Sequence, residues 1–325
     1  GQRGATGATG ATGAGATGAT GPAGLSCVDF VINTKEQLNE IAPGTDHKLL
    51  QDGAYCFGNF ALDPGHRITV PSPRKVELRG HGTSSMITGN VDGPVLLLEE
   101  GCTVHAHDFK ITNVRTAGVP RAVDSATTEA YFVNFAAFIN NDANPKIGEC
   151  IRVTGGRFFA TQLRVSDCAT GVSCRGGEVF LVNYDCEDLN HGVSVDATHG
   201  GLQWVGGRIN AYVTTGVRIN AKIESVLIQG VTAISTLGKN DFVKWSSGEV
   251  NRASIMGNSL FAADDARGIN WTANNLPKLA LAFVGNTLNV GTPVVGFAAD
   301  EGARVNSKAN IDRDGLMKET RIITT

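Results

Sequence analysis

The chain has 325 residues, 42% of them hydrophobic, and a formal net charge of −3. This near-neutral charge gives no electrostatic basis for binding nucleic acid or an anionic membrane surface. No apolar run approaches the roughly 20 residues that a bilayer-spanning helix requires, so membrane insertion is not expected.

Glycine recurs at every third position through residues 1–24, with one break of phase at Ala14–Gly15. Only glycine fits at the axis of a collagen triple helix, so this Gly-X-Y period is typical of that fold. A collagen helix takes three chains, and the segment therefore predicts a stalk and a homotrimer. The alternative is a flexible linker, which is favoured by the scarcity of proline, since Pro22 is the one proline within residues 1–24.

Residues 25–45 are predicted to form a linker followed by a capping strand and helix. The strand is DFVIN at 29–33, and the helix is TKEQLNEIA at 34–42. Thr34 suits the N-cap position with Gln37 three residues later, and apolar side chains follow at helical spacing. A helix at the mouth of a coil of strands covers the open end of its core, as repeat proteins require.

Residues 46–308 are predicted to form an all-β parallel β-helix. Repeat units open at Gly148, Gly171, Gly192 and Gly216, at steps of 23, 21 and 24 residues. Alternating apolar residues follow each glycine, and further glycines mark corners, as expected for short strands stacked in rungs. Looser units open near 241, 268 and 293, and earlier segments at 75–82, 86–89, 95–98 and 102–114 resemble rungs.

The repeat also predicts a register and two exceptions. Counting from each opening glycine aligns Ile151 with Cys174 on the buried face, whereas Glu149 interrupts the alternation. Residues 115–147 break the period and are expected to form a lateral loop or an irregular rung.

A sandwich or barrel is the main alternative fold, but the NG and DG dipeptides of hairpins are scarce. Residues 309–325 are expected to be a C-terminal tail.

The number of cysteines, seven, is odd, and none has CxxC or zinc-site spacing. Two of them lie within apolar strand patterns. We therefore expect reduced cysteines that pack as small buried hydrophobic side chains. The full set is Cys27, Cys56, Cys102, Cys150, Cys168, Cys174 and Cys186.

The phrase VELRGHGTSSMITG at 76–89, together with the Gly-X-Y segment and the strand–helix cap, resembles the pectate-lyase-like β-helix proteins of bacteriophage tail spikes and fibres. The resemblance implies a right-handed, trimeric β-helix on the virion surface. It also implies attachment to other virion proteins through the N-terminal side and to host surface polysaccharide. It supplies no catalytic motif that can be matched residue by residue, and a fold alone does not set a function.

Four carboxylates are candidates for polysaccharide cleavage. Asp167 and Asp188 fall at the same position in successive units, close to Asp185 and Glu187. Carboxylates about 5–5.5 Å apart suit a retaining glycosidase, and crowding of like charges raises one pKa, as a general acid requires. The alternatives are a solvated acidic corner or a cation site, because aspartate is common at turns.

A second set of residues is predicted to share an outward face that binds glycan. Arginine beside an aromatic ring suits an acidic sugar, since the ring stacks on the sugar and the guanidinium binds its carboxylate. The alternative is an outward stack that contacts neighbouring chains of the trimer. The candidates are Arg152, Arg175, Asp196, Asn220 and Trp245, with Tyr184, Trp204 and Tyr212 extending the platform.

His105 and His107 are predicted to share one face of a strand. Three chains meeting on an axis would supply six nitrogens to one metal ion, and the alternative is an exposed or hydrogen-bonded pair. No nucleotide-binding loop, GxSxG or HExxH motif occurs, and no cofactor is expected.

The sequence thus predicts a trimeric virion spike or fibre for attachment to a host surface glycan or for display from the particle, and it favours a binding protein over an enzyme without deciding between them. Two alternatives remain at this point. The first is a polysaccharide depolymerase on the same β-helix. The second is a bacterial surface or spore-coat protein with the same parts.

Overall fold

The structure is a computed structural model that describes residues 29–81, 84–139, 146–235, 240–247, 250–262, 266–271, 280–289, 292–295, 304–308, 310–312 and 315–316. The predicted stalk at 1–24 and most of the tail at 309–325 lie outside the described residues. In the described part of the chain, no helix is long and apolar enough to cross a membrane.

The described residues form one helix and thirty strands. In chain order these are β1 (Phe30–Ile32), α1 (Lys35–Ile41), β2 (Asp46–Lys48), β3 (Gly53–Phe57), β4 (Asn59–Ala61), β5 (Arg67–Val70), β6 (Lys75–Gly80), β7 (Met86–Gly89), β8 (Pro94–Leu98), β9 (Thr103–His107), β10 (Lys110–Asn113), β11 (Arg121–Ser125), β12 (Glu129–Val133), β13 (Ala136–Ile139), β14 (Glu149–Val153), β15 (Arg157–Thr161), β16 (Arg164–Cys174), β17 (Glu178–Val195), β18 (His199–Ile219), β19 (Ile223–Gln229), β20 (Thr232–Ser235), β21 (Asp241–Trp245), β22 (Val250–Met256), β23 (Ser259–Ala262), β24 (Arg267–Trp271), β25 (Ala280–Val284), β26 (Thr287–Asn289), β27 (Thr292–Val295), β28 (Arg304–Lys308), β29 (Ile311–Asp312) and β30 (Gly315–Leu316).

The strands coil into a parallel β-solenoid with three faces, each a stack of strands from successive rungs. Face A contains β2, β5, β8, β11, β14, β21, β24 and β27. Face B contains β1, β3, β6, β9, β12, β15, β19, β22, β25 and β28, and face C contains β4, β7, β10, β13, β20, β23, β26 and β29. The long strands β16, β17 and β18 bend around corners and contribute to more than one face. This topology confirms the parallel β-helix and rules out the sandwich.

One continuous hydrophobic core fills the solenoid, because each strand turns every second side chain inward. On face A, Val123, Ile151, Val172 and Val193 form a column with one residue from each rung. All four are fully buried. Each new rung therefore extends the same core along the axis, which is how a solenoid gains stability without a central globule.

The register predicted at Gly148 is wrong by two residues. Ile151 pairs with Val172, whereas Cys174 pairs with Val153. Glu149, Cys150 and Ile151 are all buried, so this rung lacks the strict alternation that register counting assumes. The irregularity is confined to this rung, because Cys174, Val195 and Ile219 pair as counting from their own glycines predicts.

The predicted capping helix is present as α1. The Thr34 side-chain oxygen accepts a hydrogen bond from the backbone N–H of Gln37 at 3.3 Å, which confirms the N-cap. Gln37 Oε1 accepts a second hydrogen bond from the backbone N–H of Asn33 at 2.7 Å. Leu38 is buried and Ile41 packs against the core, so the helix covers the first rungs as expected.

Residues 121–139 form a complete rung and not a lateral loop. Strand β11 pairs with β8 and β14, β12 pairs with β9 and β15, and β13 pairs with β10 and β16. Of the two alternatives predicted for 115–147, the lateral loop is therefore wrong for these strands and the rung is confirmed. The rung begins at Pro120 and Arg121 without an opening glycine. Because the period was counted from such glycines, this rung was not recognised in the sequence.

From Asp108 onward, the corner between faces B and C carries a residue with positive φ in successive rungs. Asp108, Asn134, Gln162 and Asn183 hold φ values of 62°, 48°, 56° and 52°, and glycine takes the position at 206, 230, 257 and 285. The left-handed region costs most residues energy, and glycine, asparagine and aspartate tolerate it best. The residue that follows is buried in most of these rungs, as Phe109, Phe135, Leu163, Tyr184, Val231, Asn258 and Asn286 are, whereas Gly207 is only half-buried.

The cysteines confirm the prediction of burial but not the prediction of a wholly reduced chain. Five free cysteines are buried. Cys56 on β3 is disulfide-bonded, which corrects the expectation. Disulfide formation depends on how closely two Cα atoms approach in the fold, and sequence spacing does not give that distance. Burial raises the pKa of Cys102 to about 12, so this thiol stays protonated at neutral pH.

Candidate functional site

An aromatic ladder runs along the outer side of face B. His105, Tyr131, Phe159 and Phe180 occupy one register position in four successive rungs. Their ring centroids are 4.7, 4.9 and 4.6 Å apart, with interplanar angles of 28°, 6° and 10°. Such cross-strand aromatic pairs stabilise a sheet. Because these rings keep contact with solvent, they also form an apolar strip on the surface.

The ladder has one charged border and one apolar border. Arg157 Nε donates to Glu178 Oε2 at 3.1 Å, and the Arg157 guanidinium lies 3.8 Å from Glu129 Oε1. The Tyr131 hydroxyl donates to Glu129 Oε2 at 3.1 Å. On the opposite border Val133 is 46% exposed. This mixture of ring carbon, aliphatic carbon and hydrogen-bonding groups suits an amphipathic ligand.

An open groove of about 500 Å³ begins where the ladder ends. Below His105 in the same column lie Glu77 and then the small side chain of Ala54. The His105 ring stacks on Tyr131 on one side and lines the groove. The polar side chains that line the groove with it are Asp29, Lys75, Glu77 and Thr103.

The Glu77 carboxylate in this groove is held by the side chains of His107 and Arg79. His107 Nε2 lies 3.0 Å from Glu77 Oε1, and His107 Nδ1 lies 2.9 Å from Asp108 Oδ2. Arg79 also pairs with Glu77. Burial alone would raise the pKa of Glu77, but the hydrogen bonds from His107 and Arg79 lower it overall. Glu77 is therefore ionised at neutral pH and acts as a hydrogen-bond acceptor, not as a general acid.

His105 and His107 lie on one face of β9, as the sequence predicts. Their roles differ, since His105 belongs to the ladder and His107 bonds two carboxylates. No group of three or more His, Cys, Asp or Glu side chains within the described ranges is arranged to hold a metal ion. A metal role for this pair stays a prediction that would need neighbouring chains.

Asp167 and Asp188 occupy equivalent positions of the corner between faces C and A. Lys146 Nζ lies 2.8 Å from Asp188 Oδ2 and 3.5 Å from Asp167 Oδ1. Ser166 Oγ also donates to Asp167 Oδ2 at 2.6 Å. The shared ammonium group offsets the like-charge repulsion that the glycosidase hypothesis requires. A catalytic role for the pair stays a prediction that this ion bridge does not favour.

Asp185 and Glu187 lie on the outer side of face C, one rung from Arg164 and Arg208. Arg164 is 3.7 Å from Glu187 Oε2. The cavity that these side chains line measures about 10 Å³, which is room for about one water molecule. The catalytic hypothesis for these two carboxylates is also untested, but the cavity is too small for a sugar ring.

Arg152, Arg175 and Asp196 lie on or beside the outer side of face A, each in an ion pair. Arg152 pairs with Asp124, Arg175 lies 2.9 Å from Glu149, and Asp196 lies 3.1 Å from Arg218. Glycan binding by these residues stays a prediction. Asn220 donates to Asp196 at 3.0 Å and belongs to the same network.

The aromatic residues predicted to accompany them are not on the surface. Tyr184, Trp204, Tyr212 and Trp245 are 0%, 0%, 2% and 0% exposed, so the prediction of an exposed platform at these positions is wrong. Tyr184 lies in the interior of the corner between faces B and C, where its hydroxyl donates to Gly192 O at 3.0 Å. Counting from glycines did not reveal which side of each strand these rings occupy.

Sequence reasoning missed the ladder, although the sequence carries a signal for it. Tyr131, Phe159 and Phe180 are separated by 28 and 21 residues, which are rung lengths. In each strand the aromatic residue stands between two apolar residues that face the core. A search for aromatic residues repeating at rung spacing would have found them.

His191 on face A gives a testable pH dependence. Burial and the charge of Arg218 lower the pKa of His191 to about 4. An unfolded histidine titrates at about pH 6.5, so between about pH 4 and 6.5 the unfolded chain binds more protons, and stability falls as the pH is lowered. We expect His191→Gln to flatten this dependence, measured as urea midpoints at about pH 5 and about pH 7. An unchanged slope in the variant would contradict this assignment.

Comparison with known proteins adds no relative. No family model matches the chain, and neither the curated proteins nor the solved structures give a match. The functional argument therefore depends on the described residues themselves. They form a parallel β-solenoid whose face B carries an exposed aromatic ladder that ends at an open polar groove.

Proposed function

We propose that this chain is an attachment protein that binds a surface polysaccharide through the groove and the aromatic ladder of face B. The observation that carries the proposal is the position of His105, which ends the ladder and lines the groove. A sugar ring placed there would continue the stack of rings. The volume of about 500 Å³ lies within the range of small-ligand sites.

The polar lining supports a carbohydrate as the ligand. Sugars present hydroxyl groups at the ring edge and C–H groups on the ring face, so they need hydrogen-bonding groups beside an aromatic surface. Glu77 offers an ionised acceptor, and Lys75 and Thr103 offer donors on the neighbouring positions. Further along, the border formed by Arg157 and Glu178 extends the polar edge beside the apolar strip.

We further propose that the protein acts as a homotrimeric spike or fibre on a virion. The support is the Gly-X-Y period at residues 1–24, which suits a three-chain stalk. Light scattering on the purified full chain should give three times the mass of one chain, which is 34.0 kDa. A monomer would contradict the trimer without affecting the groove.

The test of glycan binding is a binding assay of the full chain on immobilised bacterial capsular and O-antigen polysaccharides. We expect at least one polysaccharide to bind, and His105→Ala to weaken binding about five-fold, since an aromatic contact is worth about 1 kcal/mol. Ala54→Gln should weaken it as well, because this variant fills the groove and leaves the ladder intact.

Two control variants match these changes. His81→Ala removes an exposed histidine outside the groove, and Phe261→Ala removes a ring that is 43% exposed on face C. Both should bind like the native chain. Equal binding by His105→Ala, Ala54→Gln and the controls would overturn the proposed site. Release of oligosaccharides during the assay would instead show that the chain is a depolymerase.

A further inference from the structure

A second cavity lies at the capped end of the solenoid, between α1 and the turn before β5. It measures about 200 Å³ and is lined by Lys35, Glu36, Asn39, His47, Asp63 and His66. Two of these side chains converge, because His47 Nε2 lies 3.1 Å from His66 Nδ1. The two rings are not stacked, because their centroids are 5.2 Å apart and their planes are tilted by 48°.

We propose that His47 and His66 form a transition-metal site for Zn²⁺ or a similar borderline ion. Two nitrogens bound at about 2.0–2.1 Å to one metal are about 2.9 Å apart at a right angle and about 3.3 Å apart at the tetrahedral angle. The separation of 3.1 Å between the two imidazole nitrogens lies between these values. The site is independent of the proposed glycan groove on face B.

A second observation is the contact on the far side of the His47 ring. His47 Nδ1 lies 2.6 Å from the carbonyl oxygen of Ala42, the C-cap of α1. A carbonyl can only accept, so Nδ1 carries a proton, and in the neutral ring Nε2 keeps its lone pair on the side of His66. A histidine that ligates a metal usually donates its other N–H to a carbonyl or carboxylate in this way. His47 is only 3% exposed, which fixes this orientation.

The rest of the cavity offers further ligands. No third side chain is already in place within the described ranges, so the pair supplies two ligands and leaves the other positions open to the cavity. Asp63 lies on the same cavity, and its carboxylate now pairs with Lys35 Nζ at 2.6 Å. A carboxylate oxygen is a ligand that Zn²⁺ accepts, so a metal in the cavity would compete with Lys35 for Asp63.

The 3.1 Å contact between the two rings is itself a hydrogen bond, so a proton lies between the facing nitrogens in the metal-free state. A metal takes the place of that proton, which leaves to solvent or to the far nitrogen of its ring, and both facing nitrogens then offer lone pairs. A bound ion would then join β2 to the turn before β5, and through Ala42 to the capping helix.

The test is calorimetric titration of ZnCl₂ and NiCl₂ into untagged, chelator-treated full chain. We expect one ion per chain and a rise in the melting temperature of the native chain. His66→Ala should weaken binding at least about ten-fold and abolish that rise, and Asp63→Asn should weaken binding less. His81→Ala is the matched control and should bind like the native chain.

The outcomes separate this site from alternatives. No heat above dilution, or undiminished binding by His66→Ala, would overturn the proposal. If His66→Ala folds poorly, His66→Asn keeps a polar side chain at the turn and is measured in its place. Loss of binding in His105→Ala but not in His66→Ala would transfer the metal to the histidine pair of β9.

Discussion

Replacing Gly156 by alanine is expected to be among the most destabilising single substitutions in this chain. Gly156 holds a φ of +61°, and a Cβ atom built there would lie 1.7 Å from the carbonyl oxygen of Thr127 and 2.6 Å from that of Thr128. The obstacle is backbone of the preceding rung, so no side-chain rotation relieves it. The rungs must separate locally, and we expect a loss well above the 1–2 kcal/mol that a left-handed alanine costs by itself.

Gly257 supplies a matched control, because it holds the same φ of +61° with no atom within 4 Å of the added Cβ. Gly257→Ala should therefore lower the free energy of unfolding only by the cost of a left-handed alanine, about 1–2 kcal/mol. The measurement is the urea midpoint of each variant beside the native chain. If the two variants lose similar stability, the close contact with Thr127 is not what requires glycine at 156.

Replacing Asn286 by leucine is expected to have the second-largest effect. Asn286 is 1% exposed within a ladder of buried asparagines at the corner between faces B and C. Its Nδ2 donates to Ile255 O at 3.0 Å and to Asn310 Oδ1 at 2.9 Å. Its Oδ1 accepts from the backbone N–H of Asn258 at 3.1 Å and from Asn258 Nδ2 at 3.0 Å.

Leucine has a similar volume but can make none of these bonds. Several buried polar groups would lose a partner at once, and each costs about 1–3 kcal/mol, so we expect a total loss of at least about 3 kcal/mol. Amide hydrogen exchange should show faster exchange in the rungs on either side. Asn251→Leu is the control, because its half-buried side chain bonds Glu224 at the surface, at 2.6 Å. Equal losses in both variants would contradict the importance of the buried ladder.

The sequence was sufficient for the fold because the fold is itself periodic. Glycines at steps of 21–24 residues and period-two alternation predicted a parallel β-helix, and Thr34 with Gln37 predicted the cap, both of which the structure has. The register between neighbouring strands was harder to predict. A strand that buries three residues in a row, as at Glu149–Ile151, erases the alternation by which register is counted.

The site was less accessible to sequence reasoning than the fold. Tyr184 and Phe180 lie four residues apart on β17, yet one ring is buried in the corner and the other belongs to the ladder. The difference arises from Asn183, whose left-handed φ of 52° turns the chain between them. Counting from the opening glycines takes no account of that turn, so it does not give the side of the sheet on which a ring lies.

The corners also determine where this fold can acquire new sequence. From Asp108 onward, the corner between faces B and C repeatedly spans two residues, as at 108–109, 134–135, 162–163, 230–231 and 257–258. Among the fully described corners between faces C and A, the length varies from three residues at 167–169 to seven at 114–120. Lengthening such a loop costs little entropy. Insertions at this corner would therefore change the surface beside face A and leave the geometry of the groove and ladder on face B unchanged.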